Sequence, residues 1–368
     1  ALPILNMALV PSYIKQLQSY KSGKSIEQAR RELGISTFVK LASNENPLGP
    51  SPKALAGIKT VMENMHYYPE ASGFHLRDAL AKRYNVKIEN VILGAGSEGV
   101  MSTIMRTFLL TDDELISAEN SFIGFRVLAN ASGRKVHWLP MKDHRYDLNA
   151  LVEKITDYTK IIYIANPDNP MGTYITRKEF DDFYKHVPER CLIILDEAYY
   201  EFAKDKSDYP DSMSYRYDNV ITLRTFSKAF GLAGARIGYG LAHENLIGNL
   251  MKVKVPFEPS LPAQAAGLGA LMDDEHLNKT LAITKEGLYF FETELKSLKI
   301  QTVPSAANFI TTFWDTDEKA KQITEALFQK GFIVRQLNAF GWPDAIRISI
   351  GTMDQNQNFI NTLKTIIK

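Results

Sequence analysis

At 368 residues the chain is long enough for more than one packed unit. With 45% hydrophobic and 23% charged residues it has the balance of an ordinary globular protein, and a formal net charge of +1 gives no electrostatic case for nucleic acid or a membrane surface as the main partner. The single cysteine, Cys191, excludes an internal disulfide and suits a reducing, cytoplasmic setting.

In chain order, residues 1–10 are apolar but short, lack a basic leader and are broken by Pro3 and Asn6, so they read poorly as a signal peptide. No apolar stretch is long enough to span a bilayer as a helix. The first 45 residues lack strong periodicity and predict an arm with one short helix at 26–33. Strand-like apolar runs then alternate with helical patterns, the strands expected at 90–93, 114–117, 135–140, 160–165, 192–195, 220–223 and 236–241. Continuous runs such as Ile161-Ile162-Tyr163-Ile164 predict strands buried on both faces, as in a mainly parallel sheet covered by helices. After Pro256 and Pro259 the pattern changes to one long helical stretch at 261–297, a strand at 309–313, a helix at 318–330, strands at 332–336 and 345–350, and a helix from 354. The expected fold class is α/β: an arm at 1–45, a large domain with a mainly parallel sheet at 46–258 and a smaller α+β domain at 259–368.

Ligands of open α/β sheets gather at the carboxyl ends of strands, and the chemically capable residues fall at that edge. The strand at 90–93 leads into Gly94-Ala95-Gly96-Ser97-Glu98-Gly99 and a helix, whose free N–H groups favour an anion. The strand at 160–165 leads to Asn166-Pro167-Asp168-Asn169-Pro170-Met171-Gly172, and that at 192–195 to Asp196-Glu197-Ala198-Tyr199. The strand at 220–223 leads to Arg224-Thr225-Phe226-Ser227-Lys228, with Arg236 eight positions beyond the lysine. An amine so placed can form a Schiff base with an aldehyde cofactor.

Pyridoxal 5'-phosphate needs four further partners, and each has a candidate. The phosphate needs a cradle, offered by Ser97, Glu98, Thr225, Ser227 and Arg236. The ring nitrogen needs a buried carboxylate to stay protonated, the place for Asp196. Its phenolic oxygen needs donors, available from Asn169 and Tyr199, and its face a stacking partner, Phe122. No metal is required.

These motifs resemble the fold-type I pyridoxal-phosphate aminotransferases and, within them, the histidinol-phosphate aminotransferase subfamily. The resemblance covers nearly the whole chain and includes Ser43-Asn44-Glu45-Asn46-Pro47, Tyr68-Pro69 and the paired Arg335 and Arg347. It implies a homodimer with shared active sites, in which Tyr68 reaches the neighbour's cofactor phosphate. Arg347 would hold the substrate α-carboxylate, Arg335 and Tyr20 the substrate phosphate, and Asn44 would lie among the substrate contacts. Lys228, Asp196 and Tyr199 would carry the catalysis, in a ping-pong exchange between L-histidinol phosphate and 2-oxoglutarate.

The chain departs from the subfamily at Phe257-Glu258-Pro259, where Phe-Asn-Val is usual. An acidic side chain pointing inward there would repel a phosphate. Glu258 and the abundance of aromatics keep an aromatic amino-acid aminotransferase as an alternative, and a phospho-amino-acid decarboxylase sharing the fold and lysine, or a non-catalytic binding protein retaining the fold, are two others.

Overall fold

The computed structural model describes residues 9–17, 26–34, 38–214 and 218–368. Its largest sheet has seven strands, in the spatial order Val91–Gly94, Gly238–Leu241, Val220–Thr225, Leu192–Asp196, Thr159–Ala165, Glu114–Ala118 and Lys135–Leu139. Only Gly238–Leu241 runs antiparallel to its neighbours. Ile161, Ile162, Ile164, Ile193 and Ile194 are fully buried, which is why their strands read as unbroken apolar runs rather than alternating ones.

The predicted strands are all present, with shifts at their ends that have local causes. The one expected from 236 begins at Gly238, because Arg236 sits in the left-handed region at φ 51° and leaves the sheet direction. The single helix expected over 261–297 is two helices, Leu261–Leu271 and Asp274–Ser297. Asp273 divides them: its side chain caps the second by accepting from the His276 amide. The strand expected at 332–336 is split at Val334. Phe332–Ile333 pairs in parallel with Val39–Lys40, whereas Arg335–Leu337 joins an antiparallel sheet in the order Arg335–Leu337, Trp342–Ser349, Phe309–Phe313, Gln301–Val303. The arm carries the expected helix Ile26–Leu33, and also Ser12–Gln16 and the strand Val39–Lys40, both too short to leave a periodic signal.

At the edge of the large sheet opposite the loops of interest, Glu114 is buried and joins neighbouring strands. It accepts from Lys135 at 2.7 Å, Thr156 at 2.8 Å and His137, whose Nε2 lies 2.8 Å away. The Lys135 and His137 hydrogen bonds, in that order, pull its pKa down to about 2. A carboxylate depressed in the folded state stabilises the fold above its unfolded pKa, and loses that contribution as pH falls through the folded one. Glu114→Gln should therefore melt below wild type at neutral pH, with the gap narrowing between about pH 4.5 and about pH 2. Thermal melts across that window check it, and a gap independent of pH would contradict it.

Candidate active site

The strand ends enclose a cavity of about 510 Å³ lined by Lys228, Asp196, Asn169, Tyr199, Phe122 and the two arginines Arg335 and Arg347. Ser97, Glu98, Thr225, Ser227, Arg236 and Asn44 line it too. Every site residue singled out from the sequence therefore meets here except two. Tyr68 is 79% exposed, its ring stacked on Phe257 at 4.4 Å between centroids, and Tyr20 lies outside the described residues.

Asp196 closes its strand and is buried; its Oδ2 accepts from the Tyr163 hydroxyl at 2.7 Å, while Oδ1 is buried with no protein partner. Burial pushes its pKa up to about 7 against the opposing pull of that hydrogen bond. A buried carboxylate oxygen left without a donor is costly unless a ligand supplies one. Tyr163 was missed from sequence. A hydroxyl-bearing ring inside the run Ile161-Ile162-Tyr163-Ile164 was its only signal.

Lys228 donates to the Ser43 carbonyl at 3.0 Å, and its ammonium lies 5.9 Å from the centre of the Tyr199 ring. Burial, with the charges of Arg347 and Arg236 adding to it, lowers its pKa to about 8. It is thus closer to the neutral, nucleophilic amine at physiological pH than an ordinary lysine.

The anion cradle is assembled from three segments. Ser227 Oγ accepts from Arg236 Nη1 at 3.3 Å and from Thr225 Oγ1 at 3.1 Å. Arg236 Nη2 lies 3.3 Å from Glu98 Oε2. Gly96 holds φ +74°, a conformation that favours glycine, and a Cβ there would stand 2.7 Å from Arg236 Nη2 and displace the guanidinium. Arg236 itself has a left-handed backbone, uncommon outside glycine, at the point where its side chain joins the cradle.

On the facing side, Tyr199 is buried, which raises its pKa to about 12, so it remains a neutral hydroxyl. Its oxygen accepts from Asn44 Nδ2 at 2.9 Å. Asn44 is in turn fixed by Ser349, which accepts from its amide at 2.8 Å and donates to its Oδ1 at 2.9 Å. Asn169 Oδ1 accepts from Arg347, which also donates to the Ala42 carbonyl at 2.8 Å and packs over Phe309. An amide whose oxygen is so occupied presents its nitrogen as a donor. Before it in the loop, buried Asp168 accepts from Ser121 at 2.6 Å and from the Met171 amide at 3.1 Å, a brace unforeseen from sequence.

This set fits pyridoxal phosphate. The orphaned Asp196 oxygen suits a protonated ring nitrogen, the lysine amine an aldehyde carbon, and the Arg236–Ser227–Ser97 cradle a phosphate. When bound, that cofactor supplies a ring that accepts an electron pair from a substrate carbon. With it bound, Asp196 would hold the ring cationic, Asn169 and Tyr199 would be available as donors, and Lys228 would be placed to move a proton at the substrate carbon.

Comparison with known proteins agrees. The family model for class I and II aminotransferases matches residues 36–363. Histidinol-phosphate aminotransferase 2 of Carboxydothermus hydrogenoformans is 38% identical over 362 residues, covering 98% of this chain and 99% of that protein. Histidinol-phosphate aminotransferase of an Anaeromyxobacter species is 40% identical over 364 residues, covering 98% and 100% respectively. A crystal structure of histidinol-phosphate aminotransferase from Sinorhizobium meliloti in complex with pyridoxal-5'-phosphate superposes with a TM-score of 0.90, at 27% identity and 98% coverage of each chain. With the family match spanning nearly all of the sequence, this chain belongs to the class I and II aminotransferases.

Proposed function

We propose that this enzyme transfers the amino group of L-histidinol phosphate to 2-oxoglutarate by a ping-pong cycle, using pyridoxal phosphate on Lys228. The observation that carries the reading is the placement of Arg335 and Arg347 at paired positions on adjacent strands, both lining the cavity that holds Lys228 and Asp196. One arginine suits the phosphate of one substrate and the other the carboxylate of the other. Asp196 keeps the ring nitrogen protonated, Ser97, Glu98, Thr225, Ser227 and Arg236 take the cofactor phosphate, and Phe122 covers the ring. Glu258 is not among the residues lining the cavity of its own chain; it neighbours Lys254, which donates to its carbonyl. That location removes the objection that its charge would oppose a substrate phosphate within one subunit. The shared name of the near-full-length relatives weighs against the aromatic and decarboxylase alternatives.

The reading includes a homodimer working in the cytoplasm, where the buried free thiol of Cys191 is at home. Tyr68, Tyr67, Met65, Met62 and Phe257 are all exposed, and a second copy covering them would receive the Tyr68 hydroxyl in its own phosphate cradle. Tyr68→Phe should then weaken cofactor binding by one charge-assisted hydrogen bond, about 1.5–3 kcal/mol or roughly ten- to a hundredfold. Titration of the apoprotein measures it, alongside light scattering of the wild type; a monomer with undiminished affinity in the variant would contradict the assembly.

The donor assignment is tested by kcat/KM for histidinol phosphate, phenylalanine and tyrosine with 2-oxoglutarate, with carbon dioxide monitored. Histidinol phosphate should lead without gas release. A lead for phenylalanine, or release of carbon dioxide, would overturn it.

A further inference from the structure

Arg335 and Arg347 are register partners on antiparallel strands and share one face of the sheet. Two cations directly opposite one another destabilise a strand pair unless something between them offsets the repulsion. The ring of Phe340 is one contributor that both arginines share, while Arg347 also packs over Phe309 at 5.2 Å and donates to Asn169 and the Ala42 carbonyl. The Arg335 guanidinium carbon lies 6.0 Å and that of Arg347 5.8 Å from the Phe340 centroid, and that ring is buried at the cavity wall. A π face carries negative potential that attracts cations placed over it at such distances.

The ring is itself held in place from the large sheet. Phe340 ends the short helical turn Asn338–Phe340, and Gly341 follows at φ +85°. Asn120, beyond the strand Glu114–Ala118, donates to the Phe340 carbonyl at 2.8 Å, and Arg126 donates to the Ala339 carbonyl at 3.2 Å. Gly341 is in the left-handed conformation that favours glycine, and a Cβ there would displace the Asn120 amide that holds the turn. The turn that carries the ring is therefore held by contacts independent of either arginine.

We propose that Phe340 is a positioning residue, a shared aromatic platform that helps orient Arg335 and Arg347 and so sets how well each receives the anionic group of its substrate. The inference rests on the functional reading above, since it gives the two arginines anionic ligands. Removing the aromatic face leaves both guanidiniums less ordered, so binding of the anionic groups weakens while the chemistry at Lys228 continues.

The test is steady-state kinetics of holoenzyme for Phe340→Leu, Phe340→Met and Phe340→Tyr, with the cofactor dissociation constant measured for each. The aliphatic variants should raise KM for both glutamate and histidinol phosphate by roughly three- to thirtyfold. Their kcat should stay within about threefold and their cofactor affinity should be unchanged. Phe340→Tyr should restore wild-type KM. Unchanged KM in the aliphatic variants that fold, or a loss that Phe340→Tyr fails to rescue, would overturn the platform. Wild-type enzyme inactive on histidinol phosphate but active on glutamate would refute the donor assignment instead, and the glutamate KM alone would then decide the role of Phe340.

Discussion

Lys228→Ala loses transamination entirely, and the purified protein lacks the visible absorbance of a cofactor covalently held by lysine. No smaller effect is compatible with the site. Lys228 stands at the end of the strand Val220–Thr225 with its amine on the Ser43 carbonyl, lowered to about 8 by burial and by the neighbouring arginines. A group that both anchors the cofactor and shuttles the proton leaves two steps without a carrier when removed, and general acid–base catalysis alone contributes roughly 10²–10⁴-fold. The fold should survive, because Lys228 lines the cavity beyond the end of the strand, which is held by its neighbours on both sides. Absorbance spectra and a glutamate-forming assay on the same preparation check it; persisting colour with full turnover would assign the role to a different lysine.

Arg335→Ala and Arg347→Ala should separate the two substrates. If Arg335 grips the substrate phosphate, its loss removes charge-assisted hydrogen bonds of about 1.5–3 kcal/mol each, so kcat/KM for histidinol phosphate falls roughly ten- to a hundredfold or more. Any activity on phenylalanine, which has no phosphate, should hardly change. Arg347→Ala should fall hardest on substrates with an α-carboxylate, glutamate among them. Part of that loss comes through the cofactor side, because Arg347 also holds Asn169 Oδ1 and the Ala42 carbonyl. Parallel kcat/KM series for the two donors measure the split. Equal losses for both at Arg335 would make it structural and bring the aromatic aminotransferase forward.

The chemistry of this site was legible because each of its principal residues follows a strand that announces itself. Asp196 closes one apolar run, Asn169 and Lys228 lie a few residues beyond two others, and the sheet topology brings those three strand ends side by side. What supports them was not legible. Tyr163 reaches Asp196 from the adjacent strand, and Ser349 fixes Asn44 across 305 residues of sequence; neither contact exists until the sheets are assembled. The split at Val334 was hidden for a related reason. Phe332-Ile333-Val334-Arg335 looks like one strand, but its first half is claimed by Val39–Lys40 and its second by Trp342–Ser349. Phe340 gave no signal at all, since an aromatic after a turn reads as packing, and its relation to both arginines depends on a loop docked from elsewhere in the chain.

Amino transfer from histidinol phosphate is tested most directly by isotope. Purified holoenzyme is given L-histidinol phosphate carrying ¹⁵N on its amino group together with unlabelled 2-oxoglutarate, and the products are read by mass spectrometry. ¹⁵N-glutamate and the phosphorylated ketone should appear in equal amounts, with no carbon dioxide. No labelled glutamate from histidinol phosphate, where ¹⁵N-phenylalanine delivers its label under the same conditions, would contradict it.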